Sequence, residues 1–222
     1  MKSKFLLKSN FRFSKLVMTF FIILCGILQG QSVVTDIFRD EKGNILSIKS
    51  YNKVSKNLEL LKLETFHPNG HVARLELFSS GVKNGVHREF FNNGNIKING
   101  RYTNGDKSGL WTEYFREGGK MRIFYANENG KNISISEWYK NGVKKIRGEY
   151  FHGQKSGLWT AWYSNGVKES VTTYNKGKQE GIFSYFYDNG NKKSEGIVSY
   201  KGQKMQRCWD IYGNTQNCIK GI

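Results

Sequence analysis

Glycine recurs every 24 residues along most of this 222-residue chain. The six glycines in this register are Gly70, Gly94, Gly118, Gly142, Gly166 and Gly190. A second pair follows the same period, as in Gly153 with Gly157 and Gly177 with Gly181. Because glycine weakens a helix and is favoured in turns that need a positive φ, this spacing excludes a coiled coil and predicts a repeated turn.

Aromatic residues keep the same register between the glycines. One column contains Trp138 and Trp162, and another contains Trp111 and Trp159. The segments that carry them are rich in aromatic and β-branched residues and are closed by glycine turns, as β-strands are. Since 24 is even, each repeat presents the same residues to the same face of a strand. The pattern predicts an all-β fold of antiparallel β-hairpin repeats.

The predicted hairpins occupy residues 62–204, where ten to twelve strands would pair as a meander roughly 50–60 Å long. Aromatic columns on both faces fit either a single extended, twisted layer or an incomplete sandwich, and we favour the single layer. The flanking residues keep the period only loosely. We interpret residues 31–61 as a degenerate N-terminal capping hairpin and residues 205–222 as a C-terminal capping hairpin.

The N-terminus has the pattern of a secretory signal. Five positive charges precede the apolar run at residues 16–28. As a helix this run is about 20 Å long, shorter than the ~30 Å apolar core of a bilayer, so we favour a cleaved signal peptide at residues 1–30 over an uncleaved anchor. Cleavage would lower the net charge from +17 to +12 by removing those five charges. We expect a periplasmic, cell-surface or secreted protein.

The order of aromatic, Asn-Gly and double-glycine positions resembles the MORN repeat in its bacterial variant. The resemblance rests on Trp138–Gly142 followed by Tyr150–Trp159 and covers roughly residues 62–204. This variant is common in proteins of the YwqK-type antitoxin-like family. The resemblance implies a toxin-neutralising role for bacterial members, and a role in membrane occupation and recognition for eukaryotic ones.

Two cysteines remain after the predicted cleavage, Cys208 and Cys218. A hairpin that turns at Gly213, their midpoint, would place them opposite each other at a Cα separation of about 5.5 Å, which a disulfide accepts. The alternative is a pair of free thiols in a flexible tail. We favour the disulfide because an exported protein meets an oxidising environment.

Catalytic and metal-binding patterns are weak. His67 and His71 are four residues apart, but Pro68 between them breaks the helix that could place both on one metal. His87 replaces a column tryptophan and fits either the core or the surface. Glu89, Glu113 and Glu137 recur at 24 residues, and we interpret them as a solvated column beside cations. We expect no enzyme activity, no metal and no cofactor.

A lysine ridge follows the marker turns at the same period. Its members are Lys120, Lys144, Lys168 and Lys192. Such a ridge either attracts acidic groups or protects turns and edges from aggregation. We assign partner binding to this ridge and to Trp138 and Trp162. The expected function is a scaffold that binds a protein, with attachment to an anionic membrane surface or glycan as the alternative and no nucleic acid expected.

Overall fold

The structure is a computed structural model that describes residues 20–24, 32–54, 56–127, 129 and 131–218. The predicted signal segment lies outside these residues, except for the backbone at Phe20–Leu24, which is a strand. The last four residues of the predicted C-terminal cap lie outside them as well. Among the described residues there is no helix of the length and apolar character needed to cross a membrane.

The chain divides into two units. Unit 1 comprises residues 1–96 and 102–105, and unit 2 comprises residues 97–101 and 106–222. The strands of unit 1 are β1 (Phe20–Leu24), β2 (Ser32–Arg39), β3 (Ile45–Val54), β4 (Asn57–Phe66), β5 (Val72–Ser79) and β6 (Val82–Phe90). Strand β7 (Ile96–Thr103) contributes residues to both units. Within unit 1, strands that follow each other in the chain pair antiparallel.

Unit 2 continues the same alternation of strand and turn. Its strands are β8 (Asp106–Tyr114), β9 (Lys120–Ala126), β10 (Asn132–Trp138), β11 (Lys144–Phe151), β12 (Gln154–Trp162), β13 (Lys168–Asn175), β14 (Lys178–Phe186), β15 (Lys192–Val198), β16 (Lys204–Trp209) and β17 (Thr215–Gln216). Each pairs antiparallel with the next along the chain. The predicted all-β meander of hairpins, one layer thick within each unit, is confirmed.

Each repeat uses two kinds of turn, which explains its two glycine columns. At one end, Tyr139 N–H donates to Val143 O at 2.8 Å across a three-residue loop in which Gly142 has a φ of 83°. At the other end, His152 and Gly153 form a two-residue loop with φ values of 50° and 77°. Positive φ at both positions is the signature of the type I′ hairpin turn, whose twist matches that of the flanking strands.

A row of residues, most of them buried, crosses unit 2, one from each strand from β8 to β15. In cross-strand order this core row is Trp111, Phe124, Ile135, Gly148, Trp159, Thr172, Phe183 and Gly196. The opposite face is much more open: Trp159 is 4% exposed, whereas its neighbour Leu158 is 54% exposed. Burial therefore depends on large rings that cover one face of a single sheet.

Two glycines of unit 2 make room for the tryptophans of the core row. Gly148 lies beneath the indole ring of Trp159, and Gly100 lies beneath that of Trp111. A Cβ at Gly148 would lie 2.6 Å from Cε3 of the ring, well inside the ~3.5–4.0 Å of a normal carbon contact. Where the row has smaller residues, as at Phe124 beside Ile135, no glycine is needed.

The end of unit 2 is closed by the Cys208–Cys218 disulfide, whose Cα atoms are 5.3 Å apart. The predicted register of this hairpin was wrong, because Cys208 pairs with Gln216 and not with Cys218. The turn is centred one residue earlier than expected, since Asp210 N–H donates to Asn214 O at 2.9 Å and Asp210 Oδ1 accepts from the Asn214 N–H. A hydrogen bond from the Asn214 side-chain amide to Asp210 Oδ2, together with the one from the Asn214 N–H, lowers the pKa of Asp210.

Candidate functional site

The predicted lysine ridge lies in unit 2 and alternates with aromatic side chains. The row, one residue per strand from β8 to β16, consists of Tyr114, Lys120, Trp138, Lys144, Trp162, Lys168, Phe186, Lys192 and Trp209. Four of its aromatic–lysine pairs are direct cross-strand partners: Tyr114–Lys120, Trp138–Lys144, Trp162–Lys168 and Phe186–Lys192. We name this set the Lys–aromatic row. This row contains all six residues to which the sequence assigned partner binding, the four ridge lysines with Trp138 and Trp162.

The lysines of this row contact rings on the following hairpin as well. The Lys144 ammonium lies 5.6 Å from the centre of the Trp162 ring, and the Lys192 ammonium lies 5.9 Å from that of Trp209. A cation within about 6 Å of a ring face is attracted by its quadrupole. Lys192 also forms an ion pair with Glu195 at 2.6 Å. These contacts therefore help to fix the side chains of the row, while the lysine charges stay at the surface.

The row combines exposed charge with partly exposed rings. Lys120, Lys168 and Lys192 are exposed, and Trp138 and Trp162 are half-buried. Lysines on alternate strands are about 9.6 Å apart, a distance at which two charges in water repel by only about 0.4 kcal/mol. The sheet tolerates this repulsion easily, so the row presents a regular series of cations to any acidic group that approaches.

Hydrogen bonds between successive turns hold the row in register. Tyr163 Oη donates to Phe186 O at 2.8 Å, and Asn165 Nδ2 donates to Asp188 O at 2.8 Å. The same two bonds recur 24 residues earlier in the chain, and they recur again with donors 24 residues later and acceptors 23 residues later. Burial, with help from nearby carboxylates, raises the pKa of Tyr163 and so keeps its hydroxyl a donor. The recurrent Asn-Gly pairs thus link neighbouring hairpins besides forming the turns.

Sequence reasoning missed a second set of lysines, which cover the core row. Lys155 Nζ lies 4.4 Å from the centre of the Trp159 ring, and Lys107 Nζ lies 4.5 Å from that of Trp111. Lys204 Nζ lies 4.8 Å from the centre of the Phe183 ring. The signal was present, because Lys107 and Lys155 both precede a column tryptophan by four residues. These lysine side chains therefore lie over the rings of the core row.

The histidines that were considered as metal ligands contact the main chain. A ring nitrogen of His67 lies 2.9 Å from Phe90 O, and one of His71 lies 3.0 Å from Asn92 O. A carbonyl oxygen can only accept, so each histidine donates to the following turn. Within the parts of the chain that the structure describes, no group of three or more His, Cys, Asp or Glu side chains is arranged to hold a metal ion.

His87 is a core residue, since it is 5% exposed in unit 1. Its Nδ1 lies 3.3 Å from Oε1 of Glu76, and its Nε2 lies 3.5 Å from Oε1 of Glu89. Lys83 bonds the same Glu76 oxygen at 2.7 Å, and Arg74 lies 3.8 Å from Glu89. Burial lowers the pKa of His87, although the two carboxylates oppose this effect. The imidazole is therefore neutral at pH 7.

Arginine side chains lie beside the glutamates of the column. Arg122 stands between Glu113 and Glu137, with guanidinium nitrogens 4.0 Å from the first carboxylate and 3.6 Å from the second. Glu89 faces Arg74 in unit 1.

Comparison with known proteins finds two segments of the chain that are similar to a family model. The chain matched none of the curated proteins with which it was compared. The family model of the MORN repeat variant matches residues 83–104 and 179–200. The two matches begin 96 residues apart, which is four periods of 24, and the second covers the hairpin of β14 and β15. The hairpins of this sheet are thus similar, at two places in register, to the MORN repeat variant.

Proposed function

We propose that this chain is a non-catalytic MORN-type repeat scaffold that binds an acidic protein partner along the Lys–aromatic row. The observation that carries the proposal is the regular alternation of lysine and aromatic side chains from β8 to β16. Ammonium groups attract carboxylates, and the half-buried rings between them offer flat apolar surface to the carbon atoms of the same partner. Recognition needs no pocket in such an arrangement.

The spacing of the lysines favours a helical partner. Lysines on alternate strands are about 9.6 Å apart. Residues seven apart on a helix are about 10.5 Å apart and share one face, whereas same-face residues of an extended strand recur every ~6.8 Å. Strand twist rotates successive lysines by about 40–50°, so a straight helix would contact two or three of them. A helix with acidic residues at heptad spacing fits best.

The disulfide supports an exported location. Disulfides persist in the periplasm and outside the cell and are rare in the reducing cytosol. The Cys208–Cys218 bridge agrees with the predicted signal segment at residues 1–30. Binding would therefore occur in the envelope or beyond it, and the net charge of +12 expected after cleavage would still attract acidic partners.

An antitoxin-like or immunity role is the specific form of this binding that the family resemblance suggests. A toxin that acts in the envelope would be neutralised by capture on the sheet, with no catalytic step. The test is growth of cells that express an envelope-acting toxin encoded beside this protein. Co-expression of the intact protein restores growth, and the lysine variants described below do not.

A direct test of the proposal replaces lysines of the Lys–aromatic row by glutamate. A Lys144→Glu/Lys168→Glu variant is compared with Lys178→Glu/Lys201→Glu, which makes the same charge change at exposed lysines outside the row. Crosslinked partners from envelope extract are identified by mass spectrometry, and affinity is then measured with the purified partner. We expect at least tenfold weaker binding for the row variant only, with a steep decline at high salt. Equal binding by both variants would refute the proposal.

The same lysines favour one other function, attachment to an anionic membrane surface or glycan. Sedimentation with vesicles that contain anionic lipid, at low and high salt, separates the two functions. If vesicles bind the protein and the row variant does not, while no protein partner is crosslinked, then the alternative holds. Binding of acidic heparin-like glycans under the same conditions would assign the row to glycans.

A further inference from the structure

We propose that a groove in unit 2, beside the disulfide, binds a saccharide of roughly one or two sugar rings. The groove has a volume of about 370 Å³. The side chains of Tyr163, Tyr185, Tyr187, Lys204 and Cys208 line it. This volume is at the lower end of those that hold small ligands. The site is separate in function from the Lys–aromatic row, with which it shares only Phe186.

The residues around the groove differ from those of the preceding repeat. Ser194 pairs with Tyr185 on one side and with Cys208 on the other, so it lies on the floor between them. Its equivalent 24 residues earlier is also a serine, Ser170, but that residue pairs with Ala161 and Tyr185. The position between Tyr185 and Cys208 is where the surface has the depression.

The walls of the groove are fixed before any ligand binds. Tyr163 Oη donates to Phe186 O at 2.8 Å, and Tyr187 Oη donates to Trp209 O at 3.0 Å. Each hydrogen bond fixes the direction of a tyrosine ring. The far wall includes Cys208, which the disulfide ties to Cys218. Preformed walls reduce the entropy lost when a ligand binds.

The lining has the chemistry that a sugar requires. The less polar face of a pyranose ring packs on an aromatic ring, and its hydroxyls both donate and accept hydrogen bonds. The ring-on-ring contact would come from the tyrosine side chains of the lining, Tyr163, Tyr185 and Tyr187. Donors and acceptors for the sugar hydroxyls would come from the neutral side chains of the lining, Ser194, Gln206, Gln216 and Asn217. Gln216 Nε2 already donates to Trp209 O at 2.8 Å, so this side chain would offer its amide oxygen to a sugar hydroxyl.

The charges of the groove disfavour a phosphate ligand. The Lys204 ammonium lies over the Phe183 ring at 4.8 Å, and that of Lys193 lies over the Tyr187 ring at 5.8 Å. Glu169 also lines the groove and would repel an anion. A neutral saccharide, or one with a single carboxylate that meets Lys204, is compatible with this balance. A multiply charged phosphate is not.

The test is titration of the purified full chain with N,N′-diacetylchitobiose, maltose and digalacturonate, followed by NMR of the aromatic side chains. We expect at least one disaccharide to shift the signals of Tyr163, Tyr185 and Tyr187. Tyr185→Ala should weaken its binding at least tenfold, and Ser194→Tyr, which fills the groove, should abolish it. Tyr125→Ala is the matched control, because Tyr125 is an exposed tyrosine on β9 outside the groove.

Thermal unfolding of each variant shows whether it remains folded, and Tyr185→Phe keeps the ring if Tyr185→Ala unfolds the sheet. Absence of any shift at 20 mM of all three disaccharides would overturn the proposal, as would undiminished binding by a folded Ser194→Tyr variant. The Lys144→Glu/Lys168→Glu variant should bind the disaccharide normally. Disaccharide binding by this variant therefore shows whether the saccharide site fails independently of the partner binding proposed for the Lys–aromatic row.

Discussion

Addition of one methyl group at Gly148 tests whether this one-layer sheet needs a glycine beneath the Trp159 ring. Gly148→Ala would place a Cβ 2.6 Å from Cε3 of the Trp159 ring. Ring atoms Cδ2 and Cε2 would lie closer still, and normal contact requires about 3.5 Å or more, so the ring must move by more than about 1 Å. It has little freedom to do so, because Tyr150 and Tyr174 pack edge-on against it and Lys155 covers it.

The expected cost follows from the contacts that the displaced ring loses. Overpacking of this kind costs about 1–3 kcal/mol. Loss of the bond from Trp159 Nε1–H to Glu149 O, which is 3.1 Å long, adds about 1 kcal/mol. Alanine is better than glycine in a strand interior by about 0.5–1 kcal/mol, which offsets part of this cost. The free energy of unfolding should therefore fall by about 1–3.5 kcal/mol.

The assay is urea unfolding followed by tryptophan fluorescence and circular dichroism, with a double-mutant cycle to Trp159→Leu. In the Trp159→Leu background there is no indole above Gly148, so Gly148→Ala should become neutral or slightly stabilising. If Gly148→Ala costs the same in both backgrounds, the steric explanation is wrong. A cost below about 0.5 kcal/mol in the native background would also refute it.

Three further predictions concern the disulfide, the buried histidine and the turns. Replacement of Cys208 and Cys218 by serine should lower the free energy of unfolding by about 2.7 kcal/mol, which oxidised and reduced urea curves can measure. The pKa of His87 is lowered by folding, so stability should be constant above the unfolded pKa of about 6.5 and fall as pH drops below it. His87→Phe should flatten that fall between pH 5 and 6.5, and an unchanged slope would contradict the prediction. Tyr163→Phe should cost about 1 kcal/mol by removing its inter-hairpin hydrogen bond, whereas Tyr212→Phe, at a site 84% exposed, should cost nothing measurable.

The hairpins were predictable because their turns depend on local chemistry. Positive φ is possible for few residues, so the glycines at positions such as 142 and 153 predicted the turns without any long-range information. Strand parity then predicted which residues share a face. The same reasoning placed the lysines of the ridge in one row, since a period of 24 residues puts every copy at the same height in the sheet.

The details that escaped prediction depend on register between strands. The Cys208–Cys218 hairpin was displaced by one residue because hydrogen bonds to the Asp210 side chain shift the turn. The stacking of Trp159 on Gly148 required knowledge of an irregularity in the pairing of β11 with β12. Cation–ring contacts such as that of Lys155 depend on rotamers, which periodicity does not determine.

The two proposed sites differ in how they relate to the repeat, and this difference predicts how each would recognise its ligand. Residues required by the fold recur every 24 positions, so a surface made of recurring residues, such as the Lys–aromatic row, offers the same group many times. It would gain affinity from several weak contacts and tolerate changes in partner sequence. The groove at Ser194 depends on a departure from the repeat, because Ser194 lies between Tyr185 and Cys208, whereas Ser170 in the preceding repeat lies between Ala161 and Tyr185. A site whose residues do not recur can discriminate among ligands, so loss of one groove residue should weaken binding more than loss of one row lysine does.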